Sequence, residues 1–226
     1  MRSVAATFVL ACSVVADANA QDLSVVAIEA PQSACAPVGI ENVTIRVFNY
    51  GPTLPAGSAF NASYTINAGA PVTELVVLGS SLLPNSNLAY TFTTQANLSV
   101  PASYTFNATV TLSGDSNPFN DAYIGWNVTT SAASDGGTAA GPGAPVLAGT
   151  VTLTGQIGEI LEWQQSEDGG ARWRRLANAG ATLPFAMLYR DTVFRARAGN
   201  GLCAPVLSNA VLVVSSDPIF HSGFEP

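Results

Sequence analysis

Asp115, Asn117, Asn120 and Asp121 bring four oxygen-bearing side chains into seven residues, a spacing that offers ligands to a hard cation. Calcium takes six to eight oxygens from a flexible loop. With two carboxylates the set amounts to a weak surface site, and the competing reading is a series of Asx turns around Pro118 that closes a hairpin. Calcium is the only cofactor the sequence suggests. Other chemistry is poorly supplied. The single histidine, His221, sits near the C-terminus, so a folded domain offers no Ser-His-Asp or Cys-His pair and no histidine metal site. Carboxylate pairs such as Glu159 with Glu162, or Glu167 with Asp168, would need a cleft holding them roughly 5 to 9.5 Å apart to cleave a glycoside. Small sandwiches with solvated acidic turns rarely form such a cleft, and no glycine loop lies between a strand and a helix to cradle phosphate. The expectation is a protein that is not an enzyme.

Binding is better supplied. Phe48, Tyr50 and Trp126 are candidate stacking platforms for a sugar or an apolar partner, whereas Trp163 and Trp173 read as core or hairpin anchors. The run Ser166-Glu167-Asp168-Gly169-Gly170-Ala171-Arg172-Trp173 has the spacing of an Asp-box, with Ser166, Asp168, Gly170 and Trp173 at its positions. An aspartate there accepts backbone N-H bonds in a tight turn, glycines supply positive φ, and the tryptophan packs beneath the hairpin. Sialidase-like propellers repeat this box in every blade. One copy predicts a stable hairpin and excludes a propeller.

The elements that must position these residues are strands. Val43, Ile45 and Val47 alternate with polar neighbours, as do Tyr104, Phe106, Ala108, Val110 and Leu112. Further strands are predicted at 23–29, 60–66, 72–78, 88–93 and 123–129, separated by Gly, Pro and Asn turns, which indicates a sandwich over 21–130. Residues 131–145 are Ala, Ser, Gly, Thr and Pro with one acid, Asp135, and read as a flexible linker. Strands resume at 151–154, 160–165, 173–176, 181–189, 192–198 and 210–214, giving a second, smaller sandwich over 146–216 and a tail over 217–226. The predicted class is all-β, two sandwiches in tandem. Charge divides the same way: the first sandwich has Arg46 as its only cation, while Arg172, Arg174, Arg175, Arg190, Arg195 and Arg197 fall in the second.

Asp22-Leu23-Ser24-Val25, Glu41 to Ile45, Asn49-Tyr50-Gly51 and the turn from Gly114 to Asp121 resemble the cell-adhesion-related (CARDB-like) immunoglobulin-fold domains of bacterial secreted proteins. Ile160 to Ser166, Trp173, Tyr189, Phe194-Arg195-Ala196 and Ser208 to Val211 resemble the immunoglobulin-like repeats of large bacterial surface proteins. These resemblances imply adhesion, spacing or display, and no defined reaction. They also bear on the cysteines. In immunoglobulin strand order Cys35, in the A-B loop, and Cys203, in the F-G loop, both face the linker. Related second-domain repeats pair their F-G cysteine with one near the first strand, where this chain has Ala148 and Gly149. An inter-domain Cys35–Cys203 disulfide is the resulting expectation. Free thiols and an intermolecular dimer remain open.

Met1, Arg2, the apolar run to Ala16 and Ala18-Asn19-Ala20 form a secretory signal peptide over residues 1–20, too short to span a bilayer. A second reading makes Val9-Leu10-Ala11-Cys12 a lipobox. After export two cysteines remain, an even count suited to an oxidising compartment. The net charge of -7, with no lysine among the eight cations, disfavours nucleic acid. The low share of charged residues, 10%, fits strand-and-turn modules. Sequons at Asn42, Asn61, Asn97, Asn107 and Asn127 read as outward polar positions of strands. The ending Ile219-Phe220-His221-Ser222-Gly223-Phe224-Glu225 is similar to that of a range of exported bacterial proteins and reads as a sorting or anchoring signal, as a segment that packs back on the sandwich edge, or as a frayed end. Two functions follow as expectations: an exported structural or adhesion protein of the cell envelope or extracellular space, or an extracellular module that binds a glycan or protein.

Overall fold

The computed structural model describes residues 20–36 and 39–217. The signal peptide, Cys12 and the tail beyond Asp217 lie outside the described residues. All regular structure among those described is strand. The first sandwich contains β1 (Leu23–Ala30), β2 (Ala34–Cys35), β3 (Ile40–Glu41), β4 (Thr44–Asn49), β5 (Ala59–Ile66), β6 (Val72–Val77), β7 (Ser86–Thr91), β8 (Ala96–Asn97), β9 (Ser103–Thr111) and β10 (Ala122–Ser131). One sheet has the order β1-β4-β7 and the other β2-β10-β9-β5-β6, while β3 and β8 form a small ribbon. The second sandwich contains β11 (Thr138–Ala140), β12 (Gly149–Thr154), β13 (Glu159–Ser166), β14 (Arg174–Leu176), β15 (Thr182–Phe185), β16 (Thr192–Gly199), β17 (Val206–Leu207) and β18 (Val211–Val213). Its sheets run β11-β12-β15 and β14-β13-β16-β17, with β18 also on β16.

Both sandwiches follow one plan. A short sheet of the first, second and fifth main strands faces a longer sheet of the remaining ones, the order of an immunoglobulin-type Greek key. In each, a segment just after the first strand crosses to the longer sheet and runs parallel to the last: Ala34 and Cys35 beside Thr130 and Ser131, and Val146 beside Ser215. Period-two alternation builds the interiors. On β4, Ile45 and Val47 are buried while Arg46 points out to pair with Glu29. On β16, Phe194, Ala196 and Ala198 are buried around Trp163, whose Nε1 donates to the Gly180 carbonyl at 3.0 Å. One buried polar side chain is fully employed. Asn49 donates from Nδ2 to the carbonyls of Pro52, Leu82 and Leu83 and accepts the Gly51 N-H at Oδ1.

By contact the chain divides into two compact units, the described parts of Met1–Ala30, Asn42–Thr94 and Thr105–Trp126, and those of Pro31–Glu41, Gln95–Tyr104 and Asn127–Pro226. The stretch 131–145, expected to be a flexible linker, is corrected by the structure. It carries β11 and an Asp135–Ile157 bridge, and residues 131–134 take hydrogen bonds from Asn200 and Leu202. Its small residues serve close approach: a Cβ on Gly136 would lie 2.1 Å from the Leu207 carbonyl oxygen, and one on Gly137, at φ +69, would lie 2.6 Å from the Thr154 carbonyl oxygen. The strand predicted at 181–189 is shorter than expected. It stops at Phe185, because Met187 turns to φ +56 and takes the chain out of the sheet.

Candidate functional site

Each sandwich parts along one side, where the edge strand of its short sheet and the edge strand of its long sheet have no further strand between them. In the first unit that opening lies between β6 and β7 and forms a groove of about 490 Å³ lined by Leu75, Val77, Leu83, Leu88 and Tyr90 among others. In the second unit it lies between β14 and β15. There the groove measures about 710 Å³, with Phe185, Leu188 and Phe194 in its floor and Arg174, Met187, Tyr189 and Arg190 on its rim. The Phe185 and Phe194 rings stack with centroids 5.6 Å apart. Met187 is 72% exposed and holds a left-handed backbone that a side chain rarely adopts. Arg174 has no ion pair among the described residues, and Glu167 is the acid on the same rim. An apolar floor beneath cations suits an apolar side chain flanked by negative charge.

The first groove is bolted at one end by Glu74. Its carboxylate, carried on β6, accepts the Tyr90 hydroxyl at 2.6 Å and the Thr93 N-H at 2.9 Å on Oε2. On Oε1 it accepts the Thr93 hydroxyl at 2.7 Å and the Thr94 N-H at 2.8 Å. Burial pushes the Glu74 carboxyl up, but these four donors outweigh it and bring the pKa to about 2. The same burial, with the bond to Glu74, raises the Tyr90 hydroxyl to about 12. Because the folded-state pKa lies below the unfolded value, the clamp contributes fully above about pH 4.5 and fades as pH falls toward 2. Glu74→Gln is expected to lose about 1 kcal/mol at pH 7, discounted for solvent screening, and little below pH 2. Urea unfolding at the two pH values checks this.

The turn from Asp115 to Asp121 does not fit calcium. Asp115 spends Oδ2 on the Leu23 N-H at 2.8 Å and Oδ1 on the Asn117 N-H at 2.9 Å, and Asn120 donates to Asp22 at 2.9 Å. The Asn120 carbonyl takes the Ser24 hydroxyl at 2.7 Å. Two buried oxygens, Asn120 Oδ1 and Asp121 Oδ1, are left without a partner, too few for the ion's usual shell. No group of three or more His, Cys, Asp or Glu among the described residues is placed to hold a metal. Burial, then the charges of Asp115 and Asp22, raise the Asp121 carboxyl to about 6. A raised acid favours the folded state while protonated, so stability is lost as pH climbs from about 3.8 through 6. Asp121→Asn is expected to stabilise the protein by about 1 kcal/mol at pH 7 and to leave it unchanged at pH 3.5. Thermal melting at both pH values reads the difference.

In the hairpin after β13, Ser166 Oγ donates to Asp168 Oδ1 at 2.7 Å, and Asp168 Oδ1 accepts the Arg172 N-H at 2.8 Å. The Ser166 bond, then the Arg172 N-H, lower the Asp168 pKa. Gly170 lies at φ +97 against the Trp173 ring, whose face carries the Arg195 guanidinium 3.7 Å from its centroid. Gln164 holds that guanidinium at 2.7 Å. The aromatic trio proposed from sequence does not converge. Phe48 and Tyr50 pack together, ring centroids 4.4 Å apart, at the end of β4, whereas Trp126 belongs to β10 of the other sheet.

Cys35 and Cys203 are joined by a disulfide with a Cα separation of 4.9 Å. Cys35 sits on β2, and Cys203 in the turn after β16, where its N-H bonds the Asn200 carbonyl. The pairing is the one expected, and both cysteines belong to the second contact unit. Sequence reasoning missed the Arg174/Arg190 groove, the Glu74 clamp and Phe119, which is 97% exposed at the tip of the acidic turn. The clustering of six arginines in the second sandwich was the one available signal for the groove.

No curated protein matches the chain. Among solved structures, the chain is similar to the CARDB domain of the PF1109 protein from Pyrococcus furiosus, solved in complex with di-metal ions. Identity is 22%, the match covers 49% of this chain and 89% of that one, and the TM-score is 0.38. Domains A168-A170 of titin match at 12% identity over 87% of this chain and 67% of theirs, with a TM-score of 0.39. A two-domain fibronectin type-III segment of chicken tenascin matches at 11% identity over 86% and 97%, with a TM-score of 0.31. Residues 137–216 match a family model described as Domain of unknown function (DUF8696), so the part of the chain that carries the arginine-rimmed groove is the part a family describes.

Proposed function

We propose that this chain is an exported, non-catalytic structural or adhesion protein that works outside the cell or on the outer surface of the envelope, with an extracellular protein or glycan surface as its partner. The observation that carries this reading is the Cys35–Cys203 disulfide, a bond that forms and persists in oxidising compartments. Support also comes from the build: two strand modules whose recesses are grooves along sheet edges, the first clamped at one end by Glu74. Among the described residues no helix is long and apolar enough to cross a membrane. Residues 1–20 act as the export signal and 217–226 as a sorting or anchoring tail. Alkylating thiols in intact cells before lysis tests the reading. The protein should be recovered outside the cytosol with both cysteines protected until reduction, and cells lacking it should adhere less. Recovery from the cytosol with both thiols alkylated sinks the proposal.

A second reading, an extracellular ligand-binding module, is favoured by the second-unit groove. Trp173 stands beside it, with Arg172 and Arg174 on either side in the chain, and would report an occupant. Titration with neutral and acidic polysaccharides, followed by tryptophan fluorescence, discriminates. A saturable shift supports binding, and a flat trace with acidic and neutral chains alike rejects the glycan.

A further inference from the structure

Two features of the surface are complementary. One is Phe119, an almost fully exposed ring on the turn between β9 and β10, preceded by Pro118 and accompanied by Asp115, Asp121 and, hydrogen-bonded to the same turn, Asp22. The other is the groove of the second unit, with its Phe185, Leu188 and Phe194 floor and its Arg174 and Arg190 rim. Its volume of about 710 Å³ is ample for a phenylalanine side chain and part of the turn that carries it. The turn is negative and the rim mainly positive. Six carboxylates accompany the lone Arg46 across residues 21–130, whereas residues 131–216 balance six carboxylates with six arginines, all between Arg172 and Arg197.

We infer that the groove takes the Phe119 turn of a second copy of this chain, so that the protein associates head to tail. This rests on the adhesion reading and deepens it by naming the partner. Burial of the ring against Phe185 and Phe194 supplies the attraction, and Arg174 and Arg190 facing the acidic turn fix the orientation and the on-rate. Met187 and Tyr189 stand on the rim as adaptable and aromatic contacts of the kind protein partners use. Knob and groove are different surfaces, so the contact is heterologous. Each copy keeps one of each after pairing, and growth continues beyond the dimer. A single exposed side chain in one groove predicts weak association, on the order of 100 μM, strengthened where many copies share a surface.

Sedimentation of the mature full-length protein across a concentration series tests the inference. Wild type should form concentration-dependent oligomers that shrink as salt rises. Phe119→Ala removes the knob at an exposed position where folding is unaffected, and Arg174→Glu reverses the rim. Each variant alone should weaken association at least about tenfold. Mixed together they should form a one-to-one complex and nothing larger, because one supplies an intact groove and the other an intact knob. Wild type that stays monomeric at millimolar concentration, or Phe119→Ala that associates as wild type does, overturns the proposal. Cell-adhesion assays separate the two readings: Phe119→Ala that self-associates as wild type does defeats this inference and leaves the adhesion role standing, whereas wild type that self-associates without making cells adhere counts against the adhesion role alone.

Discussion

Replacing Cys35 and Cys203 with serine is expected to lower stability by about 5 kcal/mol, the largest effect of any change considered. The two residues are separated by 168 positions, and the chain-entropy treatment makes the stabilisation grow with the logarithm of the closed loop. Almost the whole effect lies in the unfolded chain, which regains freedom when the link is absent. The folded contacts around it persist: Asn200 and Leu202 keep their bonds to residues 131–134 in either redox state. Urea unfolding of the native protein, the reduced protein and the double serine variant should therefore give one stable species and two equally weakened ones. A difference below about 1 kcal/mol would mean that the cysteines are not paired in the native molecule.

Gly136→Ala is expected to be nearly as damaging, at about 3 kcal/mol or more, although it adds a single methyl group. The added carbon would meet the Leu207 carbonyl oxygen at 2.1 Å, its carbon at 2.3 Å and the Ser208 nitrogen at 2.6 Å. All three are backbone, and backbone cannot swing aside as the end of a long side chain can. The second sandwich must separate β11 from β17 to accept it. A control at Gly143, where nothing lies within 4 Å, should change the melting temperature little. Thermal melts of the two alanine variants side by side provide the comparison.

That contrast explains what was legible in the sequence. Alternation made the long strands readable: β4, β9 and β16 bury every second side chain, and their bounds lie within two residues of those expected. Two-residue strands such as β2 and β3 carry no period to read. The run from 131 to 145 failed for a different reason. Glycine and alanine mark both loose linkers and places where main chains touch, and composition cannot separate the two. The clamp at Glu74 was hidden because its donors, Tyr90, Thr93 and Thr94, lie on another strand and the loop after it. The groove was hidden because its floor and rim come from β13, β14, β15, β16 and the segment beyond Phe185, which only the fold brings together. The exposure of Phe119 shows the converse, since an aromatic in a turn reads as a residue destined for the interior.

In a chain under tension, the covalent link decides which parts can feel a pull. Tension entering near residue 20 and leaving near residue 217 crosses from Cys35 to Cys203 through sulfur, so the segment between them is outside the load path. Only the two ends, about fifteen residues each, have to resist, β1 through its bonds to β4 and the last strands through theirs to β16. Reduction would return the chain between the two cysteines, a sequence separation of 168, to the stretched chain, a reserve of about 570 Å of contour at roughly 3.4 Å per residue.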